Sequence, residues 1–322
     1  MQLKSVIKIK ERKIILNIYT ELINLSQKTG YIVLKDEMMR NHTSFKIGGP
    51  ADLFIYVNKK ESLKLLLKLI NEKNIPFFVL GNGSNLLVAD EGFRGVVLSL
   101  TGDFKTIILK NGNEITCGAG ALLAKACVFA MQNSFSGLEF AYGIPGSCGG
   151  ALFMNAGAYG HDISDVIKKS THINLDGSEE TLNKNELEFS YRKSFYSNKS
   201  CVITSLTFEL KPSSSESIKS KMHELMLKRK TKQPLEYPSA GSIFKRPGNG
   251  YYVGPLIEQS ELKGVSAGGA MVSMKHAGFI INKGGATAKD VLDLVSLIKE
   301  KVYEKSGIIL ECEVKTLGNI KI

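Results

Sequence analysis

The sequence predicts a mixed fold of the α+β class, divided into more than one compact unit. Its 322 residues exceed one ordinary domain, and 43% of them are hydrophobic, which is typical of a globular protein. Segments with apolar residues at helical spacing are mixed with short segments rich in β-branched residues. We therefore expect three domains, over residues 1–98, 99–212 and 213–322.

The first unit is predicted to contain a strand, a helix and a second strand in that order. An amphipathic helix over residues 12–29 precedes them and ends at Gly30. Ala51–Val57 has the composition of a strand, and Glu61–Asn74 has leucines at helical spacing. Pro76–Leu80 is a short apolar strand that runs directly into a glycine-rich loop.

The second unit is predicted to be rich in strands, interrupted by one helix over Ala121–Gln132. Asn111-Gly112 and Asp176-Gly177 are strong hairpin turns. The β-branched segments predicted as strands are Val96–Leu100, Thr106–Leu109, Glu114–Cys117, His172–Leu175 and Cys201–Leu210.

The third unit is predicted to follow a linker over Lys211–Ser217, where proline and repeated serine precede a new helix with a basic end. A later helix begins at the capping pair Thr287 and Asp290 and ends at Gly307. A final strand is expected over Ile308–Thr316.

Charge and cysteine usage narrow the class of protein. A formal charge of +11 favours anionic ligands without choosing among them. No segment approaches the roughly 20 apolar residues of a membrane span, and the first residues do not resemble a signal peptide. Five scattered cysteines without a C-x-x-C pair indicate no metal site and a reducing, cytoplasmic setting.

Two glycine-dense loops, Gly81–Val88 and Tyr142–Gly160, are the strongest functional signal. Glycines let backbone N–H groups approach an anion such as a pyrophosphate. Neither loop is a known dinucleotide motif. The nearest Rossmann-like segment, Gly118-Ala-Gly120, has Leu123 where the third glycine belongs, and no Walker A sequence occurs. Any nucleotide cofactor must be held by another geometry.

Several segments, in order along the chain, resemble the UDP-N-acetylenolpyruvoylglucosamine reductase family. They are Asn41–Asp52, Leu80–Asp90, Gly137–Gly160, Ser190–Arg192, Gln233–Pro247 and Lys275–Asn282. The resemblance implies an enzyme of peptidoglycan synthesis with noncovalent FAD in the two-part fold of the vanillyl-alcohol-oxidase (PCMH) type, and we expect it to be a monomer. Residues 1–98 and 99–212 would hold FAD, and residues 213–322 would form an α+β substrate-binding domain. NADPH would reduce the flavin, which would reduce the enolpyruvyl ether of the UDP-sugar to UDP-N-acetylmuramate.

The resemblance assigns FAD contacts to both loops. From the first loop these are Gly81, Asn82, Gly83, Ser84 and Asn85, and from the second Gly143, Ile144, Pro145, Gly146, Ser147, Gly149, Asn155, Ala156 and Gly157. The alternative is that these glycines only make tight turns.

It also assigns three catalytic residues. Arg192 would hold the substrate carboxylate, because a guanidinium binds a carboxylate in a bidentate way. Ser242 would donate a proton, assisted by Lys245 or water, since a free serine is a weak acid. Glu313 would polarise the developing enolate. Strand parity places Glu311 on the same face, so parity alone does not choose between the two.

The same match suggests substrate contacts at Tyr191, Arg229, Lys232, Lys245 and His276. Lysines at helix ends are often only solvated, and His276 could be a buried histidine satisfied by its own hydrogen bonds.

Two other functions compete with the reductase. A sugar or alcohol oxidase could use the same cofactor fold, but it has no reason to carry Arg192, Ser242 and Glu313 together. A nucleic-acid-binding protein would suit the positive charge. However, the sequence has no nucleic-acid-binding motif and no aromatic residues clustered with basic ones, so we expect no nucleic-acid partner.

Overall fold

In a computed structural model the described residues are 19–110, 112–248 and 250–322. The helix predicted over residues 12–29 is present as α1, residues 19–29, and residues 12–18 lie outside the described residues. Gly30 ends α1 as predicted. It adopts the left-handed conformation (φ 76°), and its N–H donates to the carbonyl of Ser26 at 2.8 Å.

The first unit contains the predicted strand, helix and strand. Its further elements are β1 (Ile32–Met38), β2 (Pro50–Val57), α2 (Lys60–Glu72), β3 (Phe77–Leu80), β4 (Leu86–Val88) and β5 (Phe93–Leu100). The sheet order is β1-β2-β5-β3, and β5 lies parallel to both β2 and β3. Leu63, Leu66, Leu67 and Ile70 of α2 are buried, as their spacing predicts. The loop after β3 therefore starts at the carboxyl end of a strand that lies at the edge of this sheet.

The second unit is built on a five-stranded antiparallel sheet of order β12-β11-β13-β7-β6. Both predicted hairpins join neighbouring strands of this sheet, although Asn111 itself lies outside the described residues. The elements are β6 (Ile107–Lys110), β7 (Glu114–Gly118), α3 (Leu123–Gln132), β8 (Phe135–Ser136), α4 (Cys148–Phe153), β9 (Gly157–Ala158), β10 (His161–Asp162), α5 (Ile163–Val166), β11 (Ile167–Asn174), β12 (Glu179–Asn183) and β13 (Cys201–Glu209).

The expectation of one helix in this unit is wrong, because α4 and α5 also form. The first turn of α4 contains two consecutive glycines, Gly149 and Gly150, which disfavour a helix on propensity alone. Its first turn is stabilised by Ser147, whose Oγ accepts a hydrogen bond from the N–H of Gly150 at 3.1 Å. Cys148, Ala151 and Leu152 of α4 are buried in the core.

The predicted linker over residues 211–217 is structured. Lys211–Pro212 forms β14, which pairs with β8, and α6 (Ser215–Lys232) starts at the N-cap Ser214. Ile218 and Met222 of α6 pack into the same hydrophobic core as the sheets of the first two units. This packing groups α6 with the second unit, whereas the predicted boundary at residue 213 assigns it to the third. The boundary itself stays a prediction.

The third unit has a four-stranded antiparallel sheet of order β15-β18-β17-β16, covered by α8. Its elements are β15 (Ser239–Ser242), α7 (Val253–Gln259), β16 (Ser266–Ala267), β17 (Ala270–Val272), β18 (Phe279–Asn282), α8 (Ala288–Ser306) and β19 (Lys315–Leu317). The predicted capping box of Thr287 and Asp290 and the left-handed Gly307 are both confirmed.

The strand predicted over Ile308–Thr316 is wrong for most of its length. Only Lys315–Leu317 is a strand, and it pairs in parallel with β4 of the first unit. The preceding residues make only an isolated bridge, between Phe244 and Cys312. The chain end therefore runs from the third unit back to the first glycine loop. Among the described residues, no helix has both the length and the apolar composition needed to cross a membrane.

Candidate active site

A groove of about 1610 Å³ is lined by residues of all three units. This exceeds the roughly 300–1,000 Å³ typical of a pocket for one small ligand. It is lined by Arg192, Ser242 and Glu313, and by every cofactor residue predicted from the sequence except Gly143 and Asn155. Of the predicted substrate contacts, Tyr191, Arg229, Lys232 and His276 line it and Lys245 does not.

The first glycine loop presents unused hydrogen-bond donors to the groove. The backbone N–H groups of Asn82 to Asn85 donate to no protein acceptor among the described residues. Gly83 takes a positive φ of 60°, and a Cβ there would lie 2.1 Å from the carbonyl oxygen of His42. Successive free amides in such a bend form an anion-binding concavity. The loop therefore suits the diphosphate of FAD.

We expect Gly83→Ala to weaken FAD binding at least ~10-fold, because left-handed strain of about 1 kcal/mol is added to the collision with His42. Titration of the apoprotein with FAD, followed by flavin fluorescence, measures this. Gly30→Ala is the matched control, since Gly30 has φ 76° with open space around it. It should lose stability without losing FAD affinity. Equal FAD affinity of the two variants would contradict the assignment of the loop.

The second glycine loop differs from the expectation that its amides also face an anion. Its N–H groups are mostly engaged within the protein: Gly146 donates to Ile144, Cys148 to Ala121 and Gly149 to Ala119, all at 2.8–2.9 Å. This loop therefore forms a wall of the groove. It contacts the first loop, because Asn82 Nδ2 donates to the carbonyl of Pro145 at 3.1 Å.

Three predicted residues lie away from the groove lining. Gly143 packs beneath Arg229, whose Cδ would lie 2.8 Å from a Cβ at that position. Asn155 is buried, and its side chain joins the carbonyl of Ser190 and the N–H of Ser164. Lys245 pairs with Glu311 at 3.0 Å. The geometry gives Asn155 a supporting role beside the Arg192 segment, and the substrate contact expected of Lys245 stays a prediction.

Arg192 and Glu313 meet in the groove although they are far apart in sequence. Arg192 Nε donates to Glu313 Oε1 at 2.8 Å, and the two side chains are only 19% and 17% exposed. Arg192 also has a positive φ of 58°. A non-glycine residue in this region costs free energy, and such residues cluster at functional sites. The strained backbone directs the guanidinium toward the groove.

Hydrogen bonds between two neighbouring segments bring Ser242 close to Glu313. The N–H of Glu313 donates to the carbonyl of Ile243 at 2.8 Å, and the N–H of Lys245 donates to the carbonyl of Glu311 at 2.9 Å. Ser242 Oγ donates to the carbonyl of Phe244 at 3.0 Å. Glu311 is 73% exposed and paired with Lys245, so the structure favours Glu313 as the functional carboxylate.

Burial raises the pKa of Glu313 above its ordinary value, although Arg192 opposes the shift. The folded chain therefore binds this proton more tightly than the unfolded chain. The resulting stability is complete below the unfolded pKa of about 4.3 and is lost as the pH rises through the folded pKa. We expect the free energy of unfolding of the wild type, relative to Glu313→Gln, to fall as the pH rises above about 4.3. Urea unfolding across that range measures it, and a constant or rising difference would contradict the shift.

The end of α6 contributes cations to the groove lining. Arg229 is partly buried without a carboxylate partner among the described residues, and burial lowers its pKa. Lys232 also lines the groove. Burial lowers the pKa of His276, whose Nδ1 accepts from the N–H of Gly278 at 3.1 Å. A buried guanidinium without a partner suits an anionic group of a ligand.

Arg246 and Gln233 are among the groove residues that were not predicted from the sequence. The guanidinium of Arg246 stacks on Tyr252, 5.0 Å from the ring centroid. The backbone N–H of Arg246 donates to the hydroxyl of Tyr191 at 3.3 Å. Gln233 has a buried Oε1 with no partner in the described part of the chain. Both lie inside the segment Gln233–Pro247, and the resemblance of this segment to the reductase family could have pointed to them.

A loop of free amides and a charged cluster in one groove suit an enzyme that binds a nucleotide cofactor, and two family models identify that enzyme as an FAD-dependent oxidoreductase. Residues 51–183 match the family model described as FAD binding domain, and residues 233–317 match that described as UDP-N-acetylenolpyruvoylglucosamine reductase, C-terminal domain. The two-part FAD-binding fold with a C-terminal α+β domain, expected from the sequence, is thereby confirmed. The chain belongs to the UDP-N-acetylenolpyruvoylglucosamine reductase family.

Individual relatives cover nearly the whole chain. The UDP-N-acetylenolpyruvoylglucosamine reductase of Clostridium novyi (strain NT) is 48% identical over 301 residues, which is 92% of this chain and 97% of that protein. That of Clostridioides difficile (strain 630) is 45% identical over 94% of this chain and 98% of its own. The crystal structure of the Thermus caldophilus UDP-N-acetylenolpyruvylglucosamine reductase superposes with a TM-score of 0.77 at 36% identity, covering 89% of this chain and 99% of that one.

Proposed function

We propose that this chain uses NADPH to reduce the enolpyruvyl ether of UDP-N-acetylenolpyruvoylglucosamine to UDP-N-acetylmuramate. The observation that carries the proposal is the meeting of Arg192, Glu313 and Ser242 in a groove that also holds the free amides of the first loop. When bound and reduced by NADPH, the flavin would supply a hydride from N5 to the terminal vinyl carbon of the substrate and would return to the oxidised state. The first loop would hold its diphosphate.

Arg192 would bind the substrate carboxylate. One guanidinium N–H is used by Glu313 and one by the carbonyl of Gly157, which leaves further donors for a ligand. Negative charge that develops on the carboxylate and the adjacent carbon is stabilised by this fixed cation. In its protonated state Glu313 donates a hydrogen bond to the same charge, and burial raises its pKa toward that state.

Ser242 would protonate the carbon next to the carboxylate. In this structure its hydroxyl donates to the carbonyl of Phe244, so it must rotate to reach a substrate. Lys245 is occupied by Glu311, which favours water over Lys245 as the assisting group.

The remaining cations would bind the nucleotide part of the substrate. Arg229 and Lys232 lie at the end of α6, next to the segment that leads to Ser242. Two phosphates of a UDP-sugar would satisfy the partly buried guanidinium. Tyr191 and His276 would contact the same ligand.

Anaerobic addition of NADPH to the purified protein tests the proposal. Released flavin should be FAD, NADPH should bleach it, and addition of the enolpyruvyl substrate should give UDP-N-acetylmuramate by mass spectrometry. A colourless protein that takes up no FAD would overturn the proposal. Rapid recolouring by oxygen, with peroxide formed from a sugar, would indicate an oxidase, which the comparisons do not support.

We propose further that the enzyme acts as a cytoplasmic monomer. One chain supplies Arg192, Ser242 and Glu313 to the same groove, which supports the monomer. Light scattering during gel filtration measures the mass, and a dimer would contradict it.

A further inference from the structure

Asn85 joins the first glycine loop to the segment that carries Glu313. Its side-chain Nδ2 donates to the backbone carbonyl of Glu313 at 3.2 Å. Its own carbonyl accepts from the N–H of Lys315 at 3.1 Å. Its own N–H has no protein acceptor among the described residues and belongs to the run of free amides from Asn82 to Asn85. Asn85 therefore has a backbone N–H that is free to bind a ligand and a side-chain amide that holds the backbone of the Glu313 segment.

The neighbouring strands make this connection stiff. Immediately after Asn85, β4 pairs in parallel with β19, and Leu86 lies opposite Lys315. Before Lys315, the Glu313 segment forms no regular strand in the described part of the chain, and its backbone contacts apart from that with Asn85 are the bridge between Phe244 and Cys312 and hydrogen bonds with Ile243 and Lys245. The position of the Glu313 backbone is therefore fixed on one side by Ile243 and on the other by Asn85.

We propose that Asn85 is a positioning residue: it couples occupation of the first loop by the cofactor diphosphate to the placement of Glu313. This rests on the proposed function. A ligand that orders the loop shifts the Glu313 segment only through groups that bind both, and Asn85 provides that link. Misplacement of a catalytic group by about 1 Å can cost about 100-fold in rate.

The chain offers a matched comparison in Asn82. It lies in the same loop, and its Nδ2 also donates to a backbone carbonyl, that of Pro145 in the second loop. Among the described residues, its side chain makes no hydrogen bond to the Glu313 segment. Asn82→Leu and Asn85→Leu remove the same type of hydrogen bond while keeping the branching and the number of side-chain heavy atoms, and only Asn85→Leu removes the link to Glu313.

Hydrogen exchange with and without FAD tests the coupling directly. In the wild type, FAD should slow exchange over residues 82–86 and over residues 311–316. In Asn85→Leu it should slow exchange over 82–86 only, while in Asn82→Leu, saturated with FAD, both segments should respond. In stopped flow, Asn85→Leu should lose about 10- to 100-fold in flavin reoxidation by substrate relative to its NADPH step. Asn113→Leu is the control for the rates, because Asn113 Nδ2 also donates to a backbone carbonyl, that of Leu210 at 2.7 Å, and Asn113 does not line the groove. In this variant the ratio of the two steps should stay near that of the wild type.

Unchanged protection over 311–316 and an unchanged ratio in Asn85→Leu would overturn the inference. Asn85→Ala is the second variant. Loss of FAD binding by both folded variants would assign Asn85 to the cofactor alone and would also overturn it. A wild type that NADPH fails to bleach would instead refute the proposed function, so the two failures are distinguishable.

Discussion

Ser242→Ala is expected to leave flavin reduction by NADPH near the wild-type rate and to slow flavin reoxidation by the enolpyruvyl substrate by about 10²- to 10⁴-fold, the usual range for a general acid. Ser242 lines the groove close to Glu313 and carries the hydroxyl expected to protonate the substrate carbon. NADPH reduction requires no such proton. Rapid mixing of each half-reaction under anaerobic conditions separates the two rates.

Ser239→Ala is the matched control for this experiment. Ser239 lies on the same strand, β15, but does not line the groove, so both half-reactions should keep their rates. Equal damage to both half-reactions in Ser242→Ala would show a positional defect of the whole groove and would argue against proton donation.

Arg192→Lys is expected to slow flavin reoxidation by about 10²- to 10³-fold, as for loss of one donor to a developing negative charge. The exchange is not conservative, because a lysine ammonium cannot reproduce the planar contacts of Arg192 with both Glu313 and Gly157. It also leaves the partly buried Glu313 less well compensated, which is destabilising. Stopped flow measures the rates, and urea unfolding measures the loss of stability.

Arg94→Lys provides the comparison at the surface. Arg94 also pairs with a carboxylate, Asp52 at 2.8 Å, but its side chain is 72% exposed. We expect less than about 1 kcal/mol of destabilisation there and no change in either half-reaction. If Arg192→Lys behaved like Arg94→Lys, the carboxylate-binding role of Arg192 would be wrong.

Elements that depend on local contacts could be predicted well from the sequence, whereas strand pairing between distant segments could not. The capping pair Thr287 and Asp290 and the terminal Gly307 define α8 because these contacts are local. Strand β1 was missed because its burial shows no clean alternation of apolar and polar positions. The last strand was predicted too long, since residues 308–314 pair with little besides the Ile243 region, a contact that the sequence does not reveal.

The same division applies to the candidate site. Arg192, Ser242 and Glu313 were predicted from segments that resemble the reductase family and follow its order, and all three line one groove. Parity could not separate Glu311 from Glu313, because the difference lies in their partners, Lys245 and Arg192. Nor could the sequence show that the second loop uses most of its amides internally, since that depends on contacts with residues 119–121.

The most direct measurement of the central claim is an anaerobic titration of the NADPH-reduced enzyme with UDP-N-acetylenolpyruvoylglucosamine, followed by flavin absorbance. If the groove holds cofactor and substrate together as proposed, the colour should return in proportion to the substrate added and reach completion at one equivalent per flavin. A flavin that stays bleached until oxygen is admitted would contradict it.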